Sequence, residues 1–146
     1  MGINIMLISF FIQTGFVNVE SILISIPVAI LVGAINMSNN IRDREGDAQS
    51  GRRTLAILLG HERSVYALAI MFVTAYLWII GLVVLQEISP WNLLVLLSVP
   101  IPVKAVKGFV GKRVPVQMMP AMKATAQTNT IFGFLLTIGL FISYFS

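Results

Sequence analysis

Apolar residues occur in five runs separated by short polar segments. The first run, residues 3–16, is the shortest and is interrupted by Asn4 and Gln13. The other four cover residues 19–37, 65–85, 91–110 and 125–144. A helix needs about 20 residues to cross ~30 Å of hydrocarbon. The pattern therefore predicts an all-α, polytopic transmembrane helix bundle of about five spans, the first of which is short.

Composition supports this assignment. Hydrophobic residues make up 57% of the 146 residues and charged residues only 11%, whereas a soluble domain is about a quarter charged. The absence of cysteine excludes a disulfide framework and thiolate metal sites. The net charge of +4 does not indicate nucleic-acid binding, because the basic residues lie where membrane topology would place them.

The distribution of lysine and arginine predicts an orientation. Basic residues are concentrated between the second and third runs and between the fourth and fifth runs, and the other connections have none. By the positive-inside rule, both basic connections are expected to be cytoplasmic. We therefore expect a multi-pass protein of the cell membrane, surrounded by the lipid bilayer, with a cytoplasmic N-terminus and an external C-terminus.

The charged segment at residues 38–63, expected to be a cytoplasmic loop, contains the most informative pattern. If helical geometry continues into it, Asp43 and Asp47 lie on one face and repel each other. A cation between them would remove that repulsion. Mg²⁺ is usually held by one or two carboxylates together with substrate phosphates, so the pair is a candidate metal site.

Other side chains of this region suit a phosphate ligand. Arginine guanidinium groups donate paired hydrogen bonds to phosphate, and asparagine amides add neutral donors at the membrane boundary. The candidate substrate-binding residues are Asn36, Asn39, Asn40, Arg42, Arg52 and Arg53, with Lys104, Lys107 and Lys123 near the cytoplasmic ends of later spans.

Simpler interpretations stay open at this point. The arginines, which include Arg44, can serve only to set topology in a solvated loop, and Gly46 weakens the helical assumption. Lysines near helix ends commonly extend toward the interface without binding a ligand. His61, the only histidine, is expected to be a surface residue of the loop.

A family resemblance favours the functional interpretation. The segment at residues 39–60, with Asp43 and Asp47 followed by Gly51-Arg52-Arg53, resembles the second aspartate-rich motif of the UbiA-type intramembrane prenyltransferases. Its Asn-Asn-Ile-Arg-Asp opening is most similar to the subgroup that prenylates 1,4-dihydroxy-2-naphthoate in menaquinone biosynthesis. Residues 120–133 are also similar to that subgroup.

The resemblance implies a bundle of about nine helices in which two aspartate-rich motifs face each other across a cavity. Each motif helps to bind Mg²⁺ and a prenyl diphosphate, and the polyprenyl group passes to an aromatic acceptor similar to dihydroxynaphthoate. It also implies that Asp43 and Asp47 are the Mg²⁺-diphosphate carboxylates of the second motif, and that Arg42, Arg52 and Arg53 are their basic neighbours.

One part of the family pattern is absent from this sequence. No first aspartate-rich motif occurs in the 146 residues. We therefore expect residues 1–146 to be a single membrane domain from the C-terminal part of such an enzyme, with an N-terminal half as partner; whether this part is active alone stays open at this point. The alternatives are a small multi-span transporter, which would place ionisable groups within its spans, and a non-catalytic membrane subunit.

Overall fold

The computed structural model describes residues 2–145, and within that range every regular element is helical. A short 3₁₀ helix lies between the fourth and fifth α-helices. The elements in chain order are α1 (Gly2–Thr14), α2 (Val19–Gln49), α3 (Leu55–Leu59), α4 (His61–Val84), the 3₁₀ helix (Pro90–Ser98), α5 (Pro100–Phe109) and α6 (Pro115–Phe145).

Four helical segments of the described chain are long and apolar enough to cross a membrane. They are α2, α4, the 3₁₀ helix together with α5 as one unit of 20 residues, and α6. Helix α1 has 13 residues and rises only about 20 Å, less than the ~30 Å hydrocarbon thickness. The polytopic helical bundle is confirmed, with four full-length spans and one short apolar helix.

Two boundaries differ from those expected. Residues 38–63 are not a loop throughout, because α2 continues to Gln49 and α3 covers part of the remainder. Helix α6 begins at Pro115 rather than near Thr125, with a proline in its first turn, where the missing N–H costs no hydrogen bond. In both places polar residues that suggested a loop extend a helix beyond its apolar run.

Helices α2, α4 and α6 and the 3₁₀–α5 unit pack as a four-membered bundle, and α1 packs on α2. Hydrogen bonds connect neighbours at both ends. The Trp78 indole donates to the Leu23 carbonyl at 2.9 Å. His61 Nε2 donates to the Phe109 carbonyl at 3.0 Å and is buried at the start of α4. The expectation of a surface loop histidine was therefore wrong.

Two glycines allow close approach between helices. A Cβ on Gly139 would lie 2.7 Å from the Trp91 carbonyl oxygen, and one on Gly108 would lie 2.8 Å from the Ala121 Cβ. Small residues at such contacts are characteristic of membrane bundles. Gly133, in contrast, has no such neighbour within 4 Å.

A polar contact between α4 and the 3₁₀ helix lies among large apolar side chains of the bundle interior. The Tyr76 and Ser98 hydroxyls lie 2.6 Å apart, and the Ser98 hydroxyl also lies 2.6 Å from the Val95 carbonyl. The Tyr76 ring packs edge-on against Phe132 with centroids 5.3 Å apart. The largest fully buried side chains include Leu31, Ile41, Leu68, Ile79, Phe109, Met118 and Phe132.

Candidate functional site

Helix α2 is longer than a membrane span. Its 31 residues rise about 46 Å, and ~30 Å of this is enough to cross the hydrocarbon. Since its apolar run covers residues 19–37, roughly the last third projects beyond the hydrocarbon. Helical geometry therefore does continue through the aspartate motif and places Asp43 and Asp47 on one face.

The chemistry-bearing residues of α2 form a polar stripe, which we define as Asn36, Asn40, Asp43 and Asp47. Their spacings of four, three and four place them within about 60° on the helix. Asn36 is exposed, and the other three are half-buried.

The opposite face of α2 packs into the bundle. The buried residues of that face in this region are Leu31, Ala34, Met37, Ser38 and Ile41. The polar stripe therefore points away from the core formed by the described helices. The side chains of Asn36 and Asp43 are accessible to a ligand or to another segment of protein, whereas that of Asp47 is only 14% exposed and is paired with Arg52.

Asp43 is held by its neighbour Arg42. Arg42 Nε and Nη2 donate to the two carboxylate oxygens of Asp43 at 2.6 and 2.5 Å. Both groups lie in the part of α2 beyond the hydrocarbon. These hydrogen bonds hold the pKa of Asp43 below its usual range, although partial burial opposes the effect. The same contact raises the pKa of Arg42, so both groups are charged at neutral pH.

Asp47 is connected to Arg52 by the way in which α2 ends. Gly51 has a φ of +73°, and its N–H donates to the Ala48 carbonyl while the Arg52 N–H donates to the Asp47 carbonyl. This is a Schellman motif, which reverses the chain after a helix. Arg52 Nη1 thereby reaches Asp47 Oδ1 at 3.1 Å.

Arg53 and the asparagines of this region have no side-chain partner in the part of the chain that the structure describes. Arg53 is exposed and forms no ion pair within residues 2–145. Among the described residues, no side-chain hydrogen bond involves Asn36, Asn39 or Asn40. Each amide can donate two hydrogen bonds and accept others. These groups are therefore free to bind a polar ligand.

The structure does not bring all the predicted lysines to this stripe. Lys104 and Lys107 are exposed on α5, which does not contact α2 in the described chain. Lys123 is exposed on α6, which does contact α2. A role for these lysines in diphosphate binding stays a prediction. Met119 of α6 approaches the site, with its sulfur 3.9 Å from Arg42 Nη1.

The donor set fits half of a magnesium-diphosphate site. The described residues contain no cluster of three or more metal-ligating side chains. Two carboxylates on one helix face are nevertheless what Mg²⁺ uses when substrate phosphates complete its coordination. The charges around the carboxylates come from arginines, which suit phosphate oxygens.

Sequence reasoning missed a second basic feature. Arg44, Arg63 and Arg113 line one cavity of about 240 Å³, together with His61 and Glu62. Arg44 is thus part of this cavity rather than simply a neighbour of the aspartates. The three arginines come from three separate segments, so no local spacing could have revealed their convergence.

The fold and the site together define a class: a polytopic helical membrane protein with paired carboxylates and arginines at one end of the bundle. The UbiA prenyltransferase family model matches residues 1–122. Because this is most of the chain, the chain belongs to the UbiA prenyltransferase family.

Individual relatives agree with this assignment. The chain is 63% identical over 145 residues to the 1,4-dihydroxy-2-naphthoate octaprenyltransferase of Bacillus subtilis (strain 168), covering 99% of the chain and 47% of that protein. It is 33% identical over 134 residues to the UbiA prenyltransferase domain-containing protein 1 homolog of Drosophila melanogaster, covering 90% of the chain and 35% of that protein.

A third relative is the 1,4-dihydroxy-2-naphthoate octaprenyltransferase of Escherichia coli (strain K12), which is 28% identical over 137 residues, covering 92% of the chain and 44% of that protein. The chain therefore spans half or less of the length of these curated relatives. No solved structure gives a significant match.

Proposed function

We propose that the full-length protein transfers a polyprenyl group from a prenyl diphosphate to an aromatic acceptor, 1,4-dihydroxy-2-naphthoate in menaquinone biosynthesis. The observation that carries this proposal is the polar stripe of α2, which directs two carboxylates and two unpartnered amides away from the packed core. The name of the Bacillus subtilis relative supports the choice of acceptor.

Each residue of the site has a proposed role. Asp43 and Asp47 would hold Mg²⁺, which when bound neutralises charge on the diphosphate. Arg42 orients Asp43 and keeps it ionised. Arg52 and Arg53 bind phosphate oxygens, and Arg52 also orients Asp47. The amides of Asn36, Asn39 and Asn40 donate hydrogen bonds to the substrate at the membrane boundary.

These roles suit the bond changes of prenyl transfer. The carbon–oxygen bond to the diphosphate breaks, and its electron pair leaves with the diphosphate. The resulting allylic cation is attacked by the acceptor ring, and loss of the carboxyl group as carbon dioxide restores the aromatic ring. The arginines stabilise the negative charge that develops on the leaving group, and the apolar helices keep water away from the cation.

The outward orientation of the polar stripe leaves room for a further segment of protein to complete the site. We propose that a segment outside these 146 residues covers the stripe and supplies the first aspartate-rich motif, so that this chain is the C-terminal part of the enzyme. We place the stripe on the cytoplasmic side, with the N-terminus inside and the C-terminus outside, because the basic connections lie at that end.

The transfer reaction can be measured directly in membranes containing the full-length protein. With prenyl diphosphate and dihydroxynaphthoate, we expect product only when Mg²⁺ is present. Asp47→Ala should lower the rate by about 10²–10³-fold, whereas Glu45→Gln, which changes a nearby exposed carboxylate outside the stripe, should retain activity. Equal rates for the wild type and Asp47→Ala, or full activity in the presence of a chelator, would refute the proposal.

A further inference from the structure

The arginine cavity continues into an apolar groove between α4 and α5. The cavity lined by Arg44, Arg63 and Arg113 shares His61 and Glu62 with a second cavity of about 490 Å³. That cavity shares Ala69 and Val106 with a third, of about 480 Å³. The three cavities therefore lie end to end along the outside of α4.

The chemical character changes along this path. At the polar end, three guanidinium groups face a cavity that contains one carboxylate, that of Glu62. Within the described part of the chain, the one ion pair of these arginines is a long contact of 3.8 Å between Arg44 and Glu45. The wall of the third cavity is almost entirely apolar, with Phe72, Val73 and Val103 among its residues, and Lys107, next to the shared Val106, is its charged residue. One end suits a phosphate and the other a hydrocarbon chain.

We propose that this path binds an anionic phospholipid of the surrounding bilayer. Its phosphate lies among Arg44, Arg63 and Arg113, and one acyl chain lies in the groove between α4 and α5. Basic pockets between transmembrane helices bind anionic headgroups in this manner, and guanidinium groups donate paired hydrogen bonds to phosphate oxygens.

The dimensions fit one acyl chain. From Arg63 to Ile80, the farthest residue of α4 that lines the groove, α4 rises about 26 Å, compared with the ~30 Å hydrocarbon thickness. The groove therefore reaches from the headgroup region past the middle of the bilayer, which is long enough for one acyl chain. Helix α2 contributes Arg44 to this path, but no residue of the polar stripe lines any of the three cavities.

Two matched pairs of variants test the proposal in the full-length protein. Arg113→Gln removes a cavity charge, and Lys112→Gln removes the neighbouring exposed charge, which does not line the cavity. Val73→Trp fills the groove. Ile70→Trp is its control, since the two residues are 56% and 55% exposed and only Val73 lines the groove.

The readout is lipid binding, measured by native mass spectrometry of the detergent-purified protein after addition of phosphatidylglycerol or phosphatidylcholine. We expect preferential retention of phosphatidylglycerol. Arg113→Gln should lower that retention roughly fivefold with no effect on phosphatidylcholine, and Val73→Trp should lower retention of both lipids. Both control variants should behave as the wild type.

Three results would overturn the proposal. One is equal retention of the two lipids, and another is indistinguishable behaviour within either matched pair. The third is displacement of bound phosphatidylglycerol, molecule for molecule, by a prenyl diphosphate, which would assign the groove to the substrate. Because binding rather than transfer is measured, failure of this proposal leaves the proposed prenyl transfer untouched.

Discussion

Helices α2 and α6 have the same length, 31 residues, and pack against each other, yet the threonines of α6 and the polar stripe of α2 behave in opposite ways. In α6, the hydroxyls of Thr125, Thr128, Thr130 and Thr137 each donate to the carbonyl four residues earlier. In α2, the polar stripe faces away from the core, and its amides bond to nothing else in the described chain.

The difference distinguishes polar residues that stabilise the fold from polar residues that are available to bind a ligand. A threonine that satisfies itself within its own helix can be buried in an apolar bundle at little cost. An amide without a fixed partner is costly near a membrane, so the unpartnered amides of the stripe indicate a site that binds a polar ligand. Substitutions in the polar stripe of α2 should therefore affect ligand binding and transfer, whereas substitutions at buried positions of α6 should affect stability.

The largest expected effect is that of Asp43→Asn in α2. Loss of the negative charge should lower the rate of prenyl transfer about 10²–10³-fold with little change in folding. The matched change in α6 is Gln127→Ala, at an exposed polar position, and should retain the wild-type rate. Comparable losses in both variants would remove the distinction between the two helices.

The next effect is on stability and concerns α6. Gly139→Ala places a methyl group 2.7 Å from the Trp91 carbonyl oxygen, and overpacking of this kind costs about 1–3 kcal/mol. Gly133→Ala has open space and should cost nothing. Reversible unfolding in detergent micelles measures both. Similar stabilities for the two variants would show that the close approach at Gly139 is unimportant.

A smaller effect is expected for the amides of the stripe. Asn40→Ala should raise the KM for prenyl diphosphate roughly fivefold, as expected for one lost hydrogen bond of about 1 kcal/mol, and leave the unfolding free energy unchanged. Thr130→Val in α6 should change neither quantity, since its hydroxyl bonds only within its helix. If Asn40→Ala altered stability instead of KM, the amide would be structural.

The smallest effect concerns the contact inside the bundle. Tyr76→Phe removes the hydroxyl that lies 2.6 Å from Ser98 and retains the ring packing against Phe132. Hydrogen bonds between membrane helices contribute about 0.6 kcal/mol on average, so the unfolding free energy should fall by about that amount. Transfer activity should not change, and a large loss of activity would place Tyr76 in the site.

Much of this organisation could be predicted from the sequence. Hydropathy alone located the four long spans, and the spacing of Asp43 and Asp47 placed both on one face once helicity was assumed. The end of α2 was not predictable from hydropathy, because polar residues are compatible with either an extended helix or a loop. Gly51, whose left-handed conformation ends the helix, was the local signal for the boundary.

Features that depend on contacts between distant segments could not be predicted from local sequence patterns. Burial of His61 depends on the Phe109 carbonyl from a distant helix. The arginine cavity forms only where three separate segments of the chain meet. From the sequence, Arg63 and Arg113 were interpreted only as basic residues that set the membrane topology. Which face of α2 packs into the bundle also depends on its neighbours, so the outward direction of the polar stripe emerged only from the structure.

The central claim is that the α2 stripe binds the metal-diphosphate head of the substrate. The most direct test is equilibrium binding of a prenyl diphosphate to the full-length protein, with and without Mg²⁺, for the wild type, Asp43→Asn with Asp47→Asn, and Glu45→Gln. We expect Mg²⁺-dependent binding that the double variant loses and Glu45→Gln retains. Binding of equal strength in all three proteins, or binding unaffected by Mg²⁺, would contradict it.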